Sequence, residues 1–89
     1  MAGVGDRLAR CFSSAFPAAT EEDIRAADIA AWVDADSLAG VTLVALIDEE
    51  FGVDIDLEGL LRLGTFAAVA RYLFDQDLAN LSSGEQTNK

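Results

Sequence analysis

The chain has no histidine, one cysteine, one proline, one tryptophan and one tyrosine, and only six Lys and Arg residues against sixteen Asp and Glu in 89 positions. Each scarcity excludes something. Without histidine there is no imidazole general base, no Ser-His-Asp or Cys-His nucleophile and no His-containing metal site. With Cys11 alone, there is no intramolecular disulfide and no thiolate metal cluster, which fits a reducing setting. The shortage of bases removes the usual means of gripping a phosphate backbone. A chain of net charge −10 is expected to avoid nucleic acid and to meet basic protein surfaces instead. Long apolar runs are missing too: the uncharged stretch from Leu38 to Ile47 is far too short for a bilayer, and Asp6 and Arg7 stand where a secretory signal would be apolar. These absences predict a cytoplasmic, monomeric protein that is not an enzyme and has no membrane or nucleic-acid partner.

What is present is apolar material, 52% of the residues, in a chain long enough for one small core. That content separates it from acidic disordered chains. From Val4 to Phe16 the residues Val4, Leu8, Phe12 and Phe16, with Cys11 and Ala15 beside them, recur at three- and four-residue spacing, which predicts an amphipathic helix stopped by Pro17. Cys11 lies on its apolar face, as a small buried hydrophobe would. Thr20-Glu21-Glu22-Asp23 has the form of a helix start, but the Ala-rich, charge-interrupted sequence that follows predicts a long loop with one short helical turn, anchored by Trp32.

Asp34-Ala35-Asp36-Ser37 is the next start signal, and Leu38 to Phe51 then contains no proline and one glycine. A helix is predicted there, with Ser37 at or beside its N-cap. At about 100° per residue, Gly40, Leu43, Val44, Ile47 and Phe51 gather on one side as a core stripe. Leu38, Val41, Thr42 and Ala45 fall on the other and continue into Asp48 and Glu49. This second stripe is either a docking surface or is covered by the loop from Pro17 to Trp32. Gly52 suits a left-handed C-cap. Val53-Asp54-Ile55 alternates like a strand but is too short to build a sheet. Asp56 can cap a short helix with Leu57, Leu60 and Leu61, and Thr65 a last helix with Phe66, Val69, Ala70 and Leu73. The fold class is therefore all-α: a small four-helix bundle of three main helices and one short one. Residues 1–75 form a single domain, and 76–89 a polar tail expected to fray, with Leu78 and Leu81 able to extend the last helix by a turn or two.

Asp54-Ile55-Asp56-Leu57-Glu58-Gly59 copies the opening of a calcium-binding loop, but its twelfth position is Thr65 instead of a bidentate Glu, so no metal site is expected. A serine at a helix N-terminus is better suited to an anion, because unpaired backbone N–H groups and the positive end of the helix dipole surround it.

The segment Val33-Asp34-Ala35-Asp36-Ser37-Leu38, followed by a helix ending in Asp48-Glu49-Glu50-Phe51-Gly52, resembles the phosphopantetheine attachment region of acyl carrier proteins. From Asp36 to Leu73 the order of serine, long acidic helix, short helix and final helix follows that family, with apolar residues at Leu38, Val41, Leu43, Phe51, Ile55, Leu63, Tyr72 and Leu73 where the family keeps them. The resemblance implies 4′-phosphopantetheine attached covalently to Ser37 from coenzyme A by a phosphopantetheinyl transferase, with Asp36 assisting recognition. The arm would carry acyl groups as thioesters for fatty-acid, polyketide or other specialised biosynthesis. It further implies that Leu38, Val41, Thr42, Ala45, Asp48 and Glu49 dock the transferase and the acyl-activating, acyl-transfer or synthase enzymes through basic patches, and that Gly40, Leu43, Leu60 and Leu61 border an acyl crevice. The chain departs from the family pattern at Asp34, where a glycine is usual, and at Ala39 and Thr42, where acids are common. These departures point toward a specialised carrier. Two other readings stay open: an unmodified acidic interaction module, and a D-alanyl or aminoacyl carrier. A peptidyl carrier is disfavoured because Asp34-Ala35 replaces a Gly-Gly pair.

Overall fold

Four of the six helices begin at a side chain that accepts a hydrogen bond from the first turn, which is how so short a chain defines so many elements. The computed structural model describes residues 3–87, with side chains as far as Gln76. Helix α1 spans Val4–Ala15 and ends ahead of Pro17, with Leu8 and Phe12 fully buried. Helix α2, Glu21–Arg25, opens with a reciprocal cap: Thr20 Oγ1 accepts from the Asp23 N–H at 3.1 Å and Asp23 Oδ2 accepts from the Thr20 N–H at 3.4 Å.

A further helix, α3 at Ile29–Ala35, occupies sequence read above as loop. Its start has no side-chain cap and no acid in the first turn, so the local signals of a helix are missing. Tertiary contacts hold it instead. The Ile29 N–H donates to the Gly64 carbonyl at 2.9 Å, Asp28 and Thr65 form an isolated bridge, and Ile29 and Val33 bury their side chains one helical turn apart. Trp32 does anchor this region, meeting Phe16 edge-on at 5.0 Å and Phe12 at 6.2 Å between ring centroids.

Helix α4 runs Ser37–Phe51 and buries Ala39, Gly40, Leu43 and Ile47. Gly52 closes it at φ 66, a left-handed cap that a side chain would strain. Val53-Asp54-Ile55 forms no strand; its Ile55 N–H donates to Asp48 Oδ1 at 3.0 Å. Helix α5, Leu57–Leu63, starts where Asp56 Oδ1 accepts from the Gly59 N–H at 2.8 Å. Helix α6 begins at Phe66 behind Thr65, whose hydroxyl accepts from the Ala68 N–H, and continues to Thr87. It thus passes Gln76, further than the turn or two by which Leu78 and Leu81 are expected to extend it. The side chains of that tail, and residues 88–89, lie outside the described residues. The described residues form an all-α bundle around Leu8, Phe12, Ile24, Ile29, Leu43, Ile47, Leu60, Val69 and Leu73. Among them no helix is long and apolar enough to cross a membrane.

Candidate functional site

Helices α3 and α4 meet at Asp36, which is at once the C-cap of the first and the N-cap of the second. Its side chain accepts from the Ala39 N–H at 3.0 Å and its carbonyl accepts from the Gly40 N–H at 3.1 Å. Ser37 follows as the exposed first residue of a 15-residue helix. None of the hydrogen bonds found among the described residues uses the Ser37 or Leu38 N–H, so these two amides keep their donors free at the positive end of α4. Nor is the Ser37 hydroxyl hydrogen-bonded to a carboxylate or amine among those residues.

Beside the serine lies an open cleft of about 610 Å³, lined by Ala30, Ala31, Val33, Asp34, Ser37 and Leu61. Four of these six residues belong to α3, the helix that sequence reasoning missed. The available signal was the Ile29–Val33 spacing. Across α4, Leu38 is 76% exposed and Val41 54%, with Thr42 and Ala45 also exposed, so the segment from Pro17 to Trp32 does not cover this stripe. Thr42 Oγ1 donates to the Leu38 carbonyl at 3.2 Å, which leaves the stripe without an outward-committed donor there.

The acids at the far end of α4 differ in availability. Asp48 is half-buried and accepts from the Ile55 N–H. Glu50 is held by Arg7, whose Nε donates to Glu50 Oε2 and whose Nη2 donates to the Glu50 carbonyl, both at 2.8 Å. Arg7 also lies over the Phe51 ring at 4.5 Å. Glu49 is exposed, with no such partner among the described residues.

Of the four residues read as bordering an acyl crevice, Leu43 and Leu60 are fully buried, while Leu61 reaches the surface. Gly40 is buried in the contact between α4 and α3. A methyl group built on it would lie 2.9 Å from Val33 Cγ2, so the missing side chain lets α3 approach α4. In the calcium-like segment Asp56 serves as a cap and Glu58 pairs with Arg62 at 3.9 Å, and no three metal-ligating side chains converge among the described residues. Cys11 is buried against the Leu46 carbonyl; burial first, and the Glu50 charge second, push its thiol pKa up.

A family model for the phosphopantetheine attachment site matches residues 6–73, most of the chain. The chain belongs to the phosphopantetheine attachment family. No curated protein and no solved structure gives a match. Members of this family are attachment sites for covalently bound 4′-phosphopantetheine, and the start of α4 fits that group: an exposed hydroxyl, two free amide donors for a phosphodiester and an open cleft alongside. In such a carrier domain the reactive chemistry is supplied by the thiol at the end of the arm, and the protein supplies anchoring and presentation.

Proposed function

We propose that the chain is an acyl carrier protein modified on Ser37, holding acyl intermediates as thioesters at the end of a 4′-phosphopantetheine arm and delivering them to partner enzymes. The observation that carries this reading is the exposed Ser37 hydroxyl at the start of α4, directly after the capping Asp36. A separate phosphopantetheinyl transferase brings the base and the arm from coenzyme A. Asp36 contributes to its recognition and, by holding the Ala39 N–H, keeps the first turn in the conformation presented to it. Enzymes of the acyl pathway dock on Leu38, Val41, Thr42 and Ala45, with Glu49 as the acid free to meet a basic patch and Asp48 and Glu50 largely engaged within the fold. Leu43 and Leu60, both fully buried, serve an acyl chain only if the helices around them part, whereas Leu61 already reaches the cleft beside Ser37.

The neutral first turns, with Ala39 and Thr42 where carriers commonly have acids, favour a specialised polyketide, lipid-modifying or other secondary pathway over bulk fatty-acid synthesis. The setting is cytoplasmic, the carrier monomeric and itself without enzymatic activity. Incubation with coenzyme A, magnesium and a promiscuous phosphopantetheinyl transferase, followed by intact mass, tests the assignment. The expected result is one phosphopantetheine increment that disappears in Ser37→Ala; no increment, or one that survives the substitution, overturns it.

A further inference from the structure

A second cleft borders α3, sharing Ala31 with the one beside Ser37. It has a volume of about 490 Å³ and is bordered by Phe16, Pro17, Ala18, Trp32, Ala35 and Asp36, with further alanine methyls completing the floor. Phe16 and Trp32 form one wall, edge to face at 5.0 Å, and both stay half-exposed toward the opening. The one charged side chain on its border, Asp36, is the residue before Ser37, so the cleft opens at the root of the arm. That carboxylate already accepts from the Ala39 N–H and carries a negative charge. The other lining side chains offer a cargo no hydrogen-bonding group except the Trp32 indole N–H.

We infer that this cleft between the α1–α2 connection and α3 shelters the apolar end of an uncharged acyl or aryl group carried on the arm. The inference rests on the carrier reading and adds to it a place for the cargo and a preference among cargoes. Methyl groups and aromatic faces gain by covering an apolar group. The Asp36 carboxylate repels one that ends in a second carboxylate, such as a malonyl unit. The cleft beside Ser37 is the competing location; Asp34 and the Ser37 hydroxyl on its border make it the more polar of the two.

Trp32 is the only tryptophan, so its emission reports the cleft directly. The chain is loaded with octanoyl-phosphopantetheine, or with the malonyl form, and intact mass confirms each product before fluorescence is read. The octanoyl form is expected to blue-shift Trp32 emission and lose acrylamide quenching relative to the malonyl form. Ala18→Leu, an exposed loop substitution that fills the cleft, is expected to load equally by mass and to abolish the difference between the cargoes. Trp32 emission that is the same for both cargoes, or a difference that persists in Ala18→Leu, overturns the inference while leaving the carrier reading intact. Failure to load by mass overturns both.

Discussion

From Ser37 to Ala45, helix α4 has no charged residue and leaves Leu38 and Val41 bare, whereas from Asp48 to Glu50 it carries three acids in succession, two of them engaged by the rest of the fold. The contrast separates charge that a chain possesses from charge that it can offer. Glu21 to Glu58 holds twelve acids and one base, and such a run reads as a surface built to attract basic partners. Asp48, however, orders the turn before α5, and Glu50 binds α1 to α4 through Arg7. What the first half of the helix leaves open is chiefly apolar shape, set in a diffuse negative field.

Substitutions on the inner and outer faces of α4 test that division. Leu43→Ala, on the buried face, is expected to cost about 2–5 kcal/mol, read as a fall in the urea midpoint. Gly40→Ala acts on the same face with a smaller effect. The methyl gains about 1 kcal/mol of helix propensity but overpacks Val33 by about 1–3 kcal/mol, so a net loss is expected. In a Val33→Ala background the same change should become neutral or stabilising, and a double-mutant cycle that finds no coupling would break the proposed α3–α4 contact.

Arg7→Ala comes next, at about 1 kcal/mol or less, because the ion pair is partly exposed. Its more telling effect is on charge: with Glu50 released, modification by a basic transferase should become more sensitive to ionic strength. An unchanged salt dependence would show that Glu50 was never withheld. Val41→Ala, on the outer face, is expected to change stability by no more than about 0.5 kcal/mol while slowing transferase turnover. Equal effects of Leu43→Ala and Val41→Ala on the urea midpoint would erase the distinction between the faces.

Where local chemistry and periodicity agree, the elements were legible before the structure was described. Helix α1, the long helix beginning at Ser37, the Gly52 cap and the Asp56 and Thr65 starts are each announced by residues within a turn of the event. Helix α3 was not legible, because what holds it is the Gly64 carbonyl and the bridge to Thr65, more than thirty residues away. The same distance hid part of the candidate site. Ser37, Asp36 and the exposed stripe follow from local pattern, but the role of Arg7 and the two clefts against α3 depend on which helices come together. The glycine at position 40 was conspicuous as a helix weakness; its neighbour Val33 could not be named from a wheel of α4 alone.

The single-residue joint at Asp36 has a mechanical consequence. Between α3 and α4 there is no loop to take up slack, and the residue that closes one helix opens the other. On the proposed reading, a partner that draws on an arm fixed at Ser37 would load both helices together, and through the Ile29 bond to Gly64 the pull would reach the turn before α6. The tether is flexible, but its mooring is braced against the far side of the bundle.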